Sequence, residues 1–450
     1  MAAQEKPANV IVFFTDQQRW DTLGTYGNPL GLTPNLDRYA SRGTVFDYAF
    51  TCQPVCGPAR SVVQTGRYPT TTGCFRNGVA LPQTEQTLAD LMKGAGYDTA
   101  YIGKWHLADR DPVPKEQRGG YDYWLAANTL EHTSDAYRTV LFDGEGQAVS
   151  LPGYRVDALV DAGIRYVDAH REDPFFLFLS FLEPHHQNHR DDYPAPDVYR
   201  GMYQGKWGPP DLASLGGTAP QHLDGYLGMV RRLDEAFGRL LEALKSLGLD
   251  DNTIVLYTCD HGNHFKTRNS EYKRSCHESS IRIPMILGGG PFRAGGRIPE
   301  LVSLVDVAPT LLDGAGISAP PSMQGRSALP LLRRDVASWP SDIFVQISES
   351  QVGRAIRTHR WKYSVAAPDR DASAISASDQ YVEEFLYDLQ ADPYELNNLI
   401  GLSSHSEVAT RLRQRLIQRV QAIEGEHPVI HAAPTRPSGQ RYVAPEELNE

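Results

Sequence analysis

Short, continuous apolar runs alternate along this chain with longer stretches in which apolar residues return every three or four positions. Asn9–Phe14 (NVIVFF) and Phe175–Phe181 are uninterrupted apolar segments, and Thr44–Phe50, Asp98–Ile102, Thr253–Tyr257 and Ile283–Leu287 have a similar character. Runs of four to eight residues without polar alternation are expected of strands covered on both faces of a parallel sheet. Between them, helical spacing marks a segment that starts at Thr33-Pro34 and ends near Arg42, then Thr87–Gly94, Asp157–Ala169, His222–Leu247 and Ser303–Ala315. Repeated strand-then-helix order predicts an α/β fold, a large mixed and mostly parallel sheet flanked by helices.

The pattern changes after about residue 340. Asp342–Ile347, Ala355–Thr358, Trp361–Val365 and Phe385–Asp388 are short β segments separated by turn residues, and Ser406–Glu424 is a helix. This predicts two units. Residues 1–340 form the main domain, and residues 341–450 form a smaller C-terminal antiparallel β-sheet with one helix and an irregular, Pro-rich tail from His431. Residues 190–220, rich in Pro, Gly, Tyr and Asp, read as a long surface excursion. Long loops in compact domains are often functional, so this one is expected to wall the substrate pocket.

Composition narrows the function class. A net charge of −11 argues against a general nucleic-acid binder, although a local basic pocket for a small anion remains compatible with it. No run of about 18 apolar residues occurs, so no transmembrane helix and no membrane partner are expected. The N-terminal stretch MAAQEKPANVIVFF lacks a basic segment followed by a long apolar one. On that ground a cytoplasmic location is expected, or a periplasmic or secreted one where a leader has been removed. The 5 cysteines, at positions 52, 56, 74, 259 and 276, are odd in number and scattered, which does not suit a disulfide framework.

Candidate chemistry gathers where predicted strands end. Asp16-Gln17, Lys104-x-His106, His185-His186 and Asp260-His261 each follow an apolar run. In a doubly wound sheet such strand ends converge on one edge, where ligands bind. Cys56, Pro58 and Arg60 belong to a segment that reads as a helix start, since proline suits the first helical turn. The N–H groups there favour an anion. Alone, Cys56 reads as a buried structural thiol and each polar cluster as a cap, a turn or a solvated group. Five such features on one sheet edge point to a reaction centre.

Cys56-Gly57-Pro58-Ala59-Arg60 with Thr65-Gly66-Arg67 after it resembles the signature of the type I, formylglycine-dependent sulfatase family of the alkaline-phosphatase superfamily. The likeness extends to Gly103-Lys104-Trp105-His106, Arg282-x-Pro284, Tyr387-Asp388-Leu389 and Asp392-Pro393-x-Glu395-x-x-Asn398-Leu399. It implies an alkaline-phosphatase-like fold and hydrolysis of an O-sulfate ester on a sulfated small molecule or a saccharide; the basic His264 to Arg268 loop and the long 190–220 stretch point to a carbohydrate. It also implies a maturation enzyme that converts Cys56 to Cα-formylglycine, whose hydrate is the nucleophile. One divalent cation would be held by Asp16, Gln17, Asp260, His261 and the modified Cys56.

The same resemblance assigns Lys104 and Lys273 to the sulfuryl oxygens, His106 to proton transfer at residue 56 and Arg60 to holding that residue. It assigns His185 to the leaving oxygen, with His186 as the alternative. His186, His264, Arg268 and His277 are assigned to substrate contact, with His264, Lys266 and Arg268 as a basic rim. Gln17 and His261 stand where Asp and Asn are common in calcium enzymes of the family. The softer donor set keeps manganese beside calcium and resembles the branch shared with phosphonate monoester hydrolases. Phosphonate or phosphodiester hydrolysis is therefore the alternative activity, and a sulfated-glycan binder with an unmodified Cys56 the non-catalytic one. An oligomer is compatible with all of these.

Overall fold

The computed structural model describes residues 6–334, 336, 338–438 and 443–448. The first residues of the N-terminal stretch and part of the Pro-rich tail, for which an expectation was given above, lie outside these described residues.

The main sheet contains β1 (Asn9–Thr15), β2 (Thr44–Phe50), β3 (Asp98–Lys104), β4 (Tyr123–Ala127), β5 (Thr139–Phe142) and β6 (Ala148–Leu151). It is completed by β7 (Phe175–Ser180), β8 (Thr253–Cys259), β9 (Arg282–Ile283), β10 (Met285–Gly288) and β11 (Gly296–Ser303). Their order is β11-β2-β10-β8-β1-β7-β3-β4-β5-β6, with β9 paired to β2. The five strands β8, β1, β7, β3 and β4 pair in parallel. β10 runs against both β8 and β2, so β2 shares the direction of that central group.

Alternation of side chains along β1 explains why its run is apolar throughout. Val10, Val12 and Phe14 face one core with Ala59, Val62, Met92 and Leu311, whereas Ile11 and Phe13 face another with Leu159, Leu233 and Phe237. A strand covered on both faces has no solvent side to mark with polar residues. The Cys56–Thr65 and Val307–Gly314 helices cover the first face, and the Arg155–Ala169 and Ala219–Ser246 helices the second.

The second sheet comprises β12 (Asp342–Ile347), β13 (Val352–Thr358), β14 (Trp361–Ala367), β15 (Gln380–Asp388) and β16 (Val429–His431), with the Ser406–Glu424 helix packed on it. Its first four strands pair antiparallel, and β16 joins in parallel. Its residues Ile356 and Trp361, with Leu416 of the helix, are continuous with the first core of the main domain. This sheet also braces the segment that leads from β2 into the Cys56 helix. The Gln346 N–H donates to the Cys52 carbonyl (2.8 Å), and Gln53 Nε2 donates to Ser348 Oγ (2.5 Å).

Two expectations need correction. Residues 190–220 are not a bare excursion: they include the Asp197–Tyr203 and Pro210–Ser214 helices and bury Tyr193, Tyr203 and Leu212. Their Pro and Gly content suggested loop, but the buried Arg19 guanidinium draws Asp211 inward at 2.9 Å. The Ile283–Leu287 run is divided between β9 and β10 around Pro284. β4, β5, β6, β11 and β16 had no counterpart in the sequence reading. β11 carries Pro299 and a register shift between Ile298 and Leu301, features that weaken a strand signal.

Gly103, in the middle of the parallel group, has φ +111, and a Cβ there would lie 1.8 Å from the Ser180 carbonyl oxygen. Gly103→Ala is expected to lower unfolding free energy by at least ~3 kcal/mol, through clash and backbone strain together. Denaturant unfolding measures this, and a loss under ~1 kcal/mol would refute the steric account.

Candidate active site

Five strand ends deliver the functional groups to one edge of the main sheet. β1 runs into Asp16 and Gln17, β3 into Lys104 and His106, β7 into His185 and His186, and β8 into Asp260 and His261. β2 leads through Cys52 to Val55, after which Cys56 begins a helix that is buried along all ten residues. Asp16, Gln17, Lys104, Asp260 and His261 are 0% exposed and Cys56 is 1% exposed, so water does not screen their charges.

Asp16 is the hub. Its Oδ2 accepts from Arg60 Nη2 (2.9 Å) and from Lys104 Nζ (2.9 Å). Burial and the Cys56 sulfur both push its pKa upward, but Lys104, His185 and Arg60 outweigh them and hold the carboxyl well below the usual carboxylate range. Arg60 also donates from Nη1 to the Lys104 carbonyl (2.8 Å) and Ser180 Oγ (2.7 Å), which ties the helix to β3 and β7.

Cys56 Sγ lies 2.8 Å from Lys273 Nζ, 3.2 Å from His261 Nε2 and 3.6 Å from Asp16 Oδ1. Burial opposes ionisation, yet Lys273, Lys104 and His261 hold this thiol well below its ordinary value. The other cysteines behave oppositely. Burial pushes Cys74 up to about 11 and Cys276 up to about 12, and it also raises Cys52 and Cys259. Position 56 is thus the one cysteine position among the described residues whose surroundings favour an anionic atom.

The residues around it fit a divalent cation. One ligand atom from each of Asp16, Cys56, Asp260 and His261 lies within 4.8 Å of the others. His261 Nδ1 is 2.9 Å from the Gly262 carbonyl, which only accepts, so Nδ1 carries a proton and Nε2 is the ring atom turned to the cluster. Gln17 Oε1 and Asp260 Oδ2 are buried without a hydrogen-bond partner, although Arg60 Nη2 lies 3.4 Å from the latter. Burial and Asp16 push Asp260 up to about 6, the response expected of carboxylates converging on an uncompensated point. Two carboxylates, an imidazole and an amide oxygen form a mixed hard and borderline donor set.

The groups opposite are cationic or basic. Lys273 Nζ is also 3.1 Å from His185 Nε2. His185 Nδ1 is 2.6 Å from the His186 carbonyl, so that nitrogen holds the proton and Nε2 accepts from Lys273. His186 stacks between His185 (4.3 Å between centroids) and Tyr272 (4.4 Å), with Nδ1 3.5 Å from Gln17 Nε2. His106 has φ 62, and its Nδ1 is buried without a partner. Three ammonium or guanidinium groups and several imidazole rings around a buried anionic position suit a tetrahedral oxyanion.

The structure separates three expected substrate contacts from this cluster. His264 Nε2 donates to the Lys273 carbonyl (3.0 Å) and is 0% exposed. Arg268 donates to the Tyr394 (2.8 Å) and Glu395 (2.9 Å) carbonyls, and His277 bonds to Tyr387 Oη (3.1 Å) and Ser275 Oγ (3.1 Å). The expected basic rim is therefore not formed: His264 closes the Lys273 loop on itself, and Arg268 and His277 tie that loop to Tyr394, Glu395 and Tyr387. Lys266, of the same expected rim, pairs with Asp191 at 3.0 Å.

Sequence reasoning missed Glu131, which lies 3.1 Å from Lys104 Nζ and is 4% exposed. It follows β4, and recognition of that strand would have placed it on the same edge. Also missed were Tyr193, whose hydroxyl accepts from Gln17 Nε2 (3.2 Å) and Asn263 Nδ2 (2.9 Å), and Asn77, whose Oδ1 accepts the Gly57 N–H (2.9 Å).

Residues 8–317 match the family model described as Sulfatase, and residues 270–422 the model described as N-sulphoglucosamine sulphohydrolase, C-terminal. An ulvan-active sulfatase of Formosa agariphila is 30% identical over 94% of this chain and 83% of its own length. An N-acetylglucosamine-6-O-sulfatase of Bacteroides thetaiotaomicron is 26% identical over 92% of this chain and 86% of its own. Among solved structures, one in complex with its substrate D-glucosamine-2-N,6-O-disulfate superposes with TM-score 0.81 at 24% identity, covering 94% of this chain and 99% of that one. A phosphonate monoester hydrolase of Silicibacter pomeroyi superposes at 0.73 with 20% identity, over 93% and 96%. At these identities the two structures speak to the fold.

Arg60 is expected to govern stability as well as activity. Arg60→Ala leaves Asp16 with one fewer buried cation and should lower unfolding free energy by ~3–5 kcal/mol. Arg60→Lys, which lacks the planar fork, should recover less than half of that by denaturant unfolding.

Proposed function

Because this chain belongs to the sulfatase family and is a sulfuric ester hydrolase, we propose that it removes an O-sulfate group from a sulfated carbohydrate, using residue 56 after its conversion to formylglycine. The observation that carries this reading is the position of Cys56 Sγ, 2.8 Å from Lys273 and inside the Asp16, Asp260 and His261 cluster. Support for a carbohydrate comes from relatives named for ulvan and for N-acetylglucosamine 6-O-sulfate.

A formylglycine at position 56 would supply an oxygen nucleophile whose sulfate adduct can release sulfate without water attacking the ester, and a divalent cation would supply charge against a sulfuryl oxygen. Asp16, Gln17, Asp260 and His261 would hold that cation. Calcium and manganese both suit the donor set, and the imidazole and amide make manganese a full competitor.

The chain's own residues then do three things. Lys104 and Lys273 bind the sulfuryl oxygens and oppose the charge that grows on them in the transition state. Arg60 keeps the Cys56 helix and Asp16 in register through its four close contacts, which limits motion of residue 56. His106 accepts a proton from residue 56 on a ring nitrogen.

Protonation of the leaving oxygen falls to the pair formed by Lys273 Nζ and His185 Nε2, which hold a proton between them at 3.1 Å. This favours His185 over His186, whose ring nitrogen Nδ1 lies 3.5 Å from Gln17 Nε2. A second reading, phosphonate monoester or phosphodiester hydrolysis, is favoured by the Gln17 and His261 donors. The phosphonate monoester hydrolase that shares this fold lends it support.

A panel of matched aryl sulfate, phosphonate and phosphodiester esters distinguishes the two. The sulfate ester should lead by more than about tenfold in kcat/KM, equivalent to ~1.4 kcal/mol in barrier. A phosphodiester lead of that size reverses the assignment. Peptide mass spectrometry of active protein should show residue 56 without sulfur and with one added oxygen; an intact thiol in fully active protein excludes the modification. Manganese or calcium at about 100 times its dissociation constant should stabilise the fold by ~2.7 kcal/mol. Asp260→Ala should abolish that shift in thermal melts, and retention of it would exclude the proposed ligand set.

A further inference from the structure

Glu131 has no place in the chemistry described above. It lies in the short Leu130–Thr133 helix beyond β4. Its carboxylate lies against Lys104 of the reaction centre at 3.1 Å and is 4% exposed. Burial opposes its ionisation, but Lys104, His106 and His185 outweigh that effect and lower its pKa to about 2, so the side chain is a carboxylate.

Its two oxygens differ. Oε1 lies 3.1 Å from Lys104 Nζ, whereas Oε2 is buried with no hydrogen-bond partner. A buried carboxylate oxygen without a donor is costly, and native proteins rarely retain one where nothing completes it.

The position is built firmly. Gln187 Nε2 donates to the Glu131 (2.8 Å) and Ser134 (2.9 Å) carbonyls, and Arg155 Nη1 reaches Gln187 Oε1 at 3.4 Å. The His106 N–H donates to the Asn128 carbonyl (2.9 Å), and the Asn128 side chain bonds the Ala108 N–H (3.0 Å) and carbonyl (2.9 Å). The segments bearing His106 and Glu131 therefore move as one, and the loop bearing His185 is fastened to them through Gln187.

We infer that Glu131 is a specificity-determining residue: with Oε1 fixed on Lys104, Oε2 accepts a hydrogen bond from a hydroxyl or N–H that the substrate carries beside its sulfate ester. This rests on the sulfate-ester reading above and adds the substrate feature that the site selects. A site built to accept from such a donor discriminates strongly against an analogue that lacks it, because the buried acceptor is then left bare. Lys104 itself gives the variant that isolates the effect. In Glu131→Gln the ammonium, a donor only, keeps the amide oxygen, so the amide NH2 must occupy the place of Oε2 and repel the substrate's donor.

The probes are catechol monosulfate, with a hydroxyl beside the ester, and 2-methoxyphenyl sulfate, whose ether cannot donate. Wild-type protein should prefer the catechol ester by about tenfold or more in kcat/KM, and E131Q should prefer it by less than about threefold. Any general damage in E131Q lowers both esters and cancels in the ratio. Absence of the preference in wild type overturns the inference, as does its persistence in E131Q with both rates reduced, which would make Glu131 a support for Lys104 alone. Should E131Q fail to fold, the wild-type ratio still decides the first arm. Glu131→Asp, which withdraws the carboxylate by one methylene, then supplies the second and should also narrow the ratio. If wild type turns over neither of these esters nor any sulfated saccharide, the sulfate-ester reading itself fails and takes the inference with it, an outcome distinct from loss of preference.

Discussion

One carboxylate organises the catalytic edge. Asp16 sits at the end of the central strand, receives Arg60 from the Cys56 helix and Lys104 from β3, and stands beside His261 from β8. These groups come from four elements separated by tens to hundreds of residues, and their charges are buried. A buried cation deprived of its partner is strongly destabilising, whereas the complete set is near neutral in energy. The hub therefore adds little net stability but penalises every misplacement of the elements that meet there. Register at this edge is controlled electrostatically, while the two apolar layers behind it set only proximity.

The same logic explains why the small sheet matters to the chemistry. Lys273 arrives on a loop with no regular structure of its own, and its position depends on His264, Arg268, His277 and Glu278. Glu278 is held by Arg357 and by Lys362 (2.8 Å), both on strands of the second sheet. Glu395 in turn accepts from Lys362 and from the Glu278 N–H. A residue near the reacting atom is thus positioned by side chains of a separate layer. The second sheet is a brace for the site and not an appendage to it.

Most of the architecture was legible because central parallel strands advertise themselves as apolar runs, and each run here ends on the same edge. Asp16, Lys104, His106, His185 and Asp260 lie where that rule points, whereas Cys56 alone reads as a structural thiol and takes its proposed role from the family resemblance. What failed to show had physical causes. β11 contains a proline and a bulge, β5 and β6 are four residues each with partly exposed faces, and β4 is a five-residue run (YWLAA) that ends in two alanines, which are poor strand formers. Losing β4 also hid Glu131. His264, Arg268 and His277 were misplaced because sequence gives the charge of a loop but not which side chains turn inward. Arg268 reads as a surface cation because its acceptors, the Tyr394 and Glu395 carbonyls, lie well over a hundred residues further along the chain.

The central position of β1 has a consequence in time. Its partners are β7 and β8, and the Asn9 and Thr253 side chains that meet across the sheet are 244 residues apart in the chain. At ribosomal speeds of roughly 5–20 residues per second, β1 waits on the order of 10–50 s for its second neighbour. During that interval a fully apolar strand lacks at least one of its two neighbours, the condition under which nascent chains associate wrongly or recruit chaperones. Residue 56, which follows β2, is 1% exposed once the sheet closes. The topology therefore acts as a clock, whose running time is the interval before position 56 is closed in behind the completed sheet.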